Sequence, residues 1–424
     1  MDNGQYNSNN GNNNDNEEIR FDENDFQDQY SQFYSQYSDQ PNADIEFNNQ
    51  YTPPFEQPFG QQFDQPFGQQ FGQPFEPPYE QVNFYEPSRE DLMLPQINKA
   101  KKHFSRIGIG YMLFSIITLV VSSIIVELVF LINEDIYYSS LFLNALTPVC
   151  LYLFALPVLL IVLSGTEARA PEKKKLGFGK FLIILLVSFG CMYIGSYIGN
   201  YVMATLSEIM GYDYGNALDI IIDDDNIWIT AIFTVIVAPI GEEFVFRKLI
   251  IDRTNKYGPV VSIVLSALMF GLMHGNFYQF FYCFAIGLIL GYIYYSTGKL
   301  YITIAIHAII NFVGSVVTSL ISPLIDPILE WAETGDTGNV DSMMSFLSEN
   351  AVGIIVALAF ALFVMASMAC AIIFPIVFRK KLKLERGTEE LPRGRVFEAV
   401  IRNGGIIAMF IIYFVEFGLN LLPQ

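Results

Sequence analysis

Glu242 and Glu243 stand side by side inside the apolar stretch IWITAIFTVIVAPIGEEFVFRKLII. A carboxylate at that depth in a membrane costs roughly 3 kcal/mol or more, so the pair requires a partner or a task. The chain has only three histidines, and two of them, His274 and His307, also lie in apolar stretches. On a helix Glu243 and Arg247 are i,i+4 neighbours and can pair on one face. Glu242 is turned about 100° from Glu243, so the two carboxylates face different directions. Compensation of Glu243 by Arg247 leaves Glu242 free to face a cavity and serve as a general base or acid. Pro239 and Gly241, just before it, are expected to bend the helix and free backbone groups there.

His307 and Asn311 are likewise i,i+4, so an imidazole and a carboxamide point into one space from one helix face. That pair suits hydrogen-bond donation to a developing oxyanion. Phe270 and His274 lie in FGLMHG between the two groups, and a carboxylate with an imidazole suits activation of water. Any one of these residues has a plain structural use, as an interhelical hydrogen bond or an ion pair. Their conjunction within about 70 residues favours a buried reaction centre.

The elements that must position this set are membrane helices. The chain has 424 residues, a net charge of −19 and a mean hydropathy of +0.34, a combination that resolves once the chain is divided. Residues 1–98 are rich in Asn, Gln, Asp and Glu and are read as a disordered cytoplasmic tail, because they offer too little apolar surface to offset ordering entropy. Inside the tail QPFGQQFDQPFGQQFGQPF repeats with a period of eight, too short for a solenoid unit. A passive spacer is the leading reading of this repeat, and a Phe-bearing segment that binds other proteins is the alternative. Its acidity argues against nucleic acid as a partner. No signal-peptide pattern precedes the first apolar run, so the first span is expected to direct insertion.

Residues 99–424 are read as an all-α polytopic membrane domain. Nine candidate spans centre near residues 118, 152, 193, 238, 268, 288, 310, 365 and 413. Basic residues recur in alternate connections: Lys99 to Arg106, Arg169 to Lys180, Arg247 to Lys256, Lys299, and Arg379 to Arg402. This alternation places the N-terminus in the cytoplasm and the C-terminus outside. The fifth span is short enough to be re-entrant. Gly190, Gly195, Gly199, Gly287 and Gly291 mark close helix packing, and the four cysteines, with no CxxC spacing, are read as packing residues. Glu127 and Glu416 are read as interfacial or interhelical hydrogen-bonding groups.

The ordered set EExxxR (Glu242, Glu243, Arg247), FxxxH (Phe270, His274) and HxxxN (His307, Asn311) resembles the CAAX protease and bacteriocin-processing (CPBP, or Abi) family, which includes the type II CAAX prenyl endopeptidases. The resemblance covers residues 225–322 and implies an intramembrane endopeptidase acting on a peptide or protein at the bilayer. It implies that Glu242 and His274 activate water, that His307 and Asn311 stabilise the oxyanion, and that Glu243, Arg247 and Phe270 support them. Members have also been described as metalloproteases, which makes zinc on Glu242, His274 and His307 the alternative. The absence of HExxH and the poor zinc affinity of a carboxamide favour a metal-independent glutamate mechanism. Hydrolysis needs water, so a cavity open to the cytosol is expected. The tail's composition points to a bacterial plasma membrane. A proton- or ion-coupled transporter uses similar buried groups, but no inverted repeat of the glutamate helix is visible. An idle scaffold is disfavoured by the cost of the buried charges.

Overall fold

In the computed structural model the long apolar runs fold into helices whose outward faces remain hydrophobic. Leu131, Ile161, Tyr201, Trp228 and Val352 are each at least 70% exposed, a surface suited to lipid rather than water. The structure describes residues 89–212, 214, 226–334, 340–382 and 384–422. The expected tail lies outside the described residues as far as residue 88, and so does the acidic connection over 215–225. The first helix, α1 (Arg89–Ile132), begins ten residues before the boundary expected at 98/99. No strand occurs among the described residues.

The remaining long helices are α2 (Ser140–Leu163), α3 (Phe178–Met210), α4 (Ile227–Tyr257), α5 (Pro259–Leu272), α6 (Phe277–Thr297), α7 (Leu300–Trp331), α8 (Ala351–Phe378) and α9 (Gly404–Asn420). The count of nine spans is corrected by length. Among the described residues seven helices are long and apolar enough to cross a membrane, and an eighth is reached if the short helix Gly394–Val400 and α9 are taken as one span across a 67° bend. α5, with 14 residues, is about 21 Å long, which is short of the hydrocarbon thickness. It ends where Gly275 adopts a φ of 67°, a turn that glycine makes without strain.

One end of the bundle gathers the basic connections. There Arg106 donates to the Gly165 carbonyl at 2.7 Å, Lys256 pairs with Glu167 at 2.9 Å, and the Lys174 amide reaches the Thr297 carbonyl at 2.9 Å. The other end holds the Tyr214 hydroxyl on the Leu421 carbonyl at 3.0 Å and the Asn420 amide on the Gly275 carbonyl at 3.0 Å.

Glycines set how closely the central helices approach. A Cβ on Gly195 would lie 2.5 Å from the Tyr282 Cα, and one on Gly287 2.9 Å from the Ala267 Cα. Backbone cannot move aside as a side-chain tip does. Gly195→Ala is therefore expected to push α3 from α6 and destabilise the fold by about 1–3 kcal/mol. Its thermal midpoint in detergent should fall clearly below wild type, and an unchanged midpoint would remove this packing argument.

Candidate active site

Four helices bring the polar set together. α4 supplies Glu242, Glu243 and Arg247, α5 supplies Phe270 and the turn after it His274, and α7 supplies His307 and Asn311. α6 adds Cys283, which the sequence reading placed among packing residues.

The local shape of α4 follows from its proline. Over Ile232–Val237 the helix widens to π geometry, and the Ala238 amide bonds to the Phe233 carbonyl, five residues back. The next carbonyl, Thr234, would pair in that register with residue 239, but Pro239 has no N–H. Asn311 fills the gap, its Nδ2 donating to the Thr234 carbonyl at 2.9 Å. That bond fixes the carboxamide and leaves Nδ2 one further hydrogen. A second π segment, Glu243–Lys248, ends with the Leu249 amide on the Phe244 carbonyl. The carbonyl skipped there, Val245, accepts the Tyr111 hydroxyl of α1. Such slips recur at functional sites because they free main-chain groups and re-aim side chains. Gly241, expected to open the helix, instead lies under the Tyr152 ring, whose Cζ would be 2.0 Å from an added Cβ.

The two glutamates divide as their helical angles require. Glu243 and Arg247 are fully buried, with Arg247 Nε 3.3 Å from Glu243 Oε2. This contact is Coulombic rather than an aligned hydrogen bond, since neither Oε2 nor any guanidinium nitrogen has a hydrogen-bond partner among the described residues. The guanidinium lies over the Phe270 ring, 4.2 Å from its centroid, a cation–π contact in a dry setting. Glu242 keeps 14% of its side chain exposed and lines a cavity of about 740 Å³. Glu243 and Arg247 do not line it.

His307 sits between the glutamates. Its Nδ1 is 3.0 Å from Glu243 Oε1, so the ring donates there, and its Nε2 is 3.6 Å from Glu242 Oε2, too far for a direct hydrogen bond. His274 is held differently. Its Nδ1 lies 2.9 Å from the Phe270 carbonyl, an acceptor, which assigns the proton to Nδ1 and leaves a lone pair on Nε2 in the neutral ring. Cys283 Sγ lies 3.4 Å from that Nε2. Phe270 stands edge-on to both imidazoles, with centroids 5.2 Å from His274 and 5.6 Å from His307. Its ring thus spaces and orients the pair. No hydrogen bond joins Glu242 to His274.

As zinc ligands Glu242, His274 and His307 fit poorly. No group of three His, Cys, Asp or Glu among the described residues converges on a point where an ion could be held.

The cavity is lined by Glu242, Phe270, His274, Cys283, His307 and Asn311 on one side, and it extends past Thr318, Asn276 and Asn420. Those last residues belong to the end opposite the basic connections. The expectation of a cavity on the cytosolic side and that of cytosolic basic loops therefore exclude one another.

A multi-helix bundle with carboxylates, histidines and a carboxamide around one internal cavity carries the groups that a membrane-embedded hydrolase needs. Residues 224–313 match the family model Rce1-like, described as type II CAAX prenyl endopeptidase Rce1-like. The match supports a CAAX-type (CPBP) intramembrane protease and contains every residue of the three motifs. No curated protein and no solved structure matches the chain.

Proposed function

We propose that this chain hydrolyses a peptide bond of a membrane-associated substrate without a metal ion, with Glu242 and His274 activating water. The observation that carries the reading is the separation of the two glutamates, one neutralised beside Arg247 and one facing the cavity. A water held by the Glu242 carboxylate and His274 Nε2 would give up a proton as its oxygen attacks the carbonyl carbon. His307 Nε2 and the second Nδ2 hydrogen of Asn311 would take the oxyanion. A proton on His307 lets both ring nitrogens donate, and it brings Glu242, Glu243, Arg247 and His307 to zero net charge. Collapse of the tetrahedral intermediate breaks the C–N bond, and the proton taken from water passes to the departing amine.

The positive-inside rule supports assigning the basic end to the cytoplasm. In that orientation the N-terminal side of α1 is cytoplasmic, α9 ends outside, and the cavity faces outward. Substrates then arrive from the outer face.

Cys283 supports a second reading. A thiol 3.4 Å from His274 Nε2 has the composition of a Cys–His dyad, in which sulfur rather than water attacks. Cleavage of a peptide library by purified protein separates the readings. Under the water mechanism Cys283→Ala retains kcat/KM within about threefold, His274→Ala loses roughly 10³-fold, and chelator changes nothing. Loss in Cys283→Ala together with a trapped acyl-enzyme would establish the thiol route. Loss with chelator and rescue by zinc would replace both.

A further inference from the structure

We propose that Glu416 and Tyr413 of α9 form a specificity subsite that takes a lysine or arginine side chain of the substrate next to the scissile bond. The inference rests on the protease reading above and concerns residues outside the matched segment 224–313. Glu416 is 8% exposed and lines the same cavity as Glu242. Its Oε1 accepts the Ser115 hydroxyl of α1, which is the interhelical bond expected of it. That bond uses one carboxylate oxygen. The other has no partner among the described residues.

Tyr413 supplies the second observation. It lies one turn before Glu416, is 1% exposed, and lines the same cavity, and its buried hydroxyl has no hydrogen-bond partner among the described residues. A buried hydroxyl left so costs about 1–3 kcal/mol, so the arrangement suits a group that arrives later. Among the described residues no lysine or arginine lines the cavity, and its acids are Glu242 and Glu416. A carboxylate with one oxygen to spare and a hydroxyl beside it together select a cation that can donate to both.

The subsite also lies close to the reacting atoms. A Cβ built on Gly275 would be 3.9 Å from the Glu416 Cβ, and Gly275 follows His274 directly. An extended peptide advances about 3.3 Å per residue, so a side chain reaching Glu416 belongs within about two residues of the bond presented to His274.

The test uses the full chain in liposomes and a cleavable peptide series carrying lysine, norleucine or glutamate at each position flanking the scissile bond. At one position wild type should prefer lysine to norleucine by about tenfold in kcat/KM. Glu416→Gln should bring that ratio near one, Glu416→Asp should restore part of it, and Glu416→Lys should turn the preference toward glutamate. A merely structural role for Glu416 would not invert selectivity. Tyr413→Phe, which keeps the ring, should lower the ratio severalfold and gives an answer even if the Glu416 variants fail to fold. A wild-type ratio near one at every position, or ratios unchanged in Glu416→Gln and Tyr413→Phe, overturns the subsite and leaves the protease reading intact. No cleavage of any peptide by folded wild type overturns both.

Discussion

Glu242→Gln should abolish peptide cleavage, with kcat/KM falling roughly 10³-fold while the protein folds and binds substrate as before. The substitution keeps the side chain's shape and removes only its charge and basicity. General-base catalysis by a positioned carboxylate contributes about 10²–10⁴-fold, so the loss should appear in kcat more than in KM. Glu242 has room for this change because it faces the cavity and makes no direct hydrogen bond to His307 at 3.6 Å. Thermal stability should therefore match wild type within about 1 kcal/mol. Cleavage retained within tenfold would sink the assignment of Glu242 as the base. A protein that unfolds would instead show that the residue holds the bundle together.

Arg247→Leu should have the opposite signature, a failure of folding before any question of catalysis. Removing the guanidinium leaves Glu243 fully buried, with the His307 ring still donating to its Oε1. Breaking one side of a buried ion pair typically costs about 3–5 kcal/mol, a large share of a domain's net stability. The double variant Glu243→Leu/Arg247→Leu removes both charges and should recover much of that loss. Activity should stay low in the double variant, because His307 Nδ1 loses the carboxylate that orients its ring. A double-mutant cycle on unfolding in detergent measures the coupling. Coupling under about 0.5 kcal/mol would mean that the pair is dispensable to the fold.

Much of the site was legible because charge inside an apolar run is conspicuous. Glu242, Glu243, Arg247, His274 and His307 stand out by type, and the i,i+4 spacing of Glu243 with Arg247 is kept by the observed ion pair. Span length was not legible. The apolar run around residue 268 looks like a crossing, whereas Gly258 and Gly275, both at positive φ, cut its helix to 14 residues. Cys283 carried no signal at all. It sits in an ordinary apolar stretch nine residues after His274, and only the α5–α6 turn brings them together. The bond from Asn311 to the Thr234 carbonyl was equally hidden, since it depends on main chain freed by a register slip rather than on any residue type. The cavity's end of the bundle could not be read either, because it depends on where helices splay.

The two slips in α4 have a geometric consequence for how this helix works as a part. Each π segment behaves as one residue inserted into an otherwise regular helix, and one residue turns a helix by about 100°. Between Ile227 and Tyr257 the two slips together uncouple the azimuth of one terminus from that of the other by about 200°. The Ile227 end of α4, which gives Phe233 and Thr234 to the cavity wall, and its Tyr257 end, whose Asp252 accepts the Tyr294 hydroxyl at 2.8 Å, thus present faces set by that offset. The glutamate-bearing middle acts as a swivel joint with its angle frozen by Asn311 and Tyr111 from the neighbouring helices.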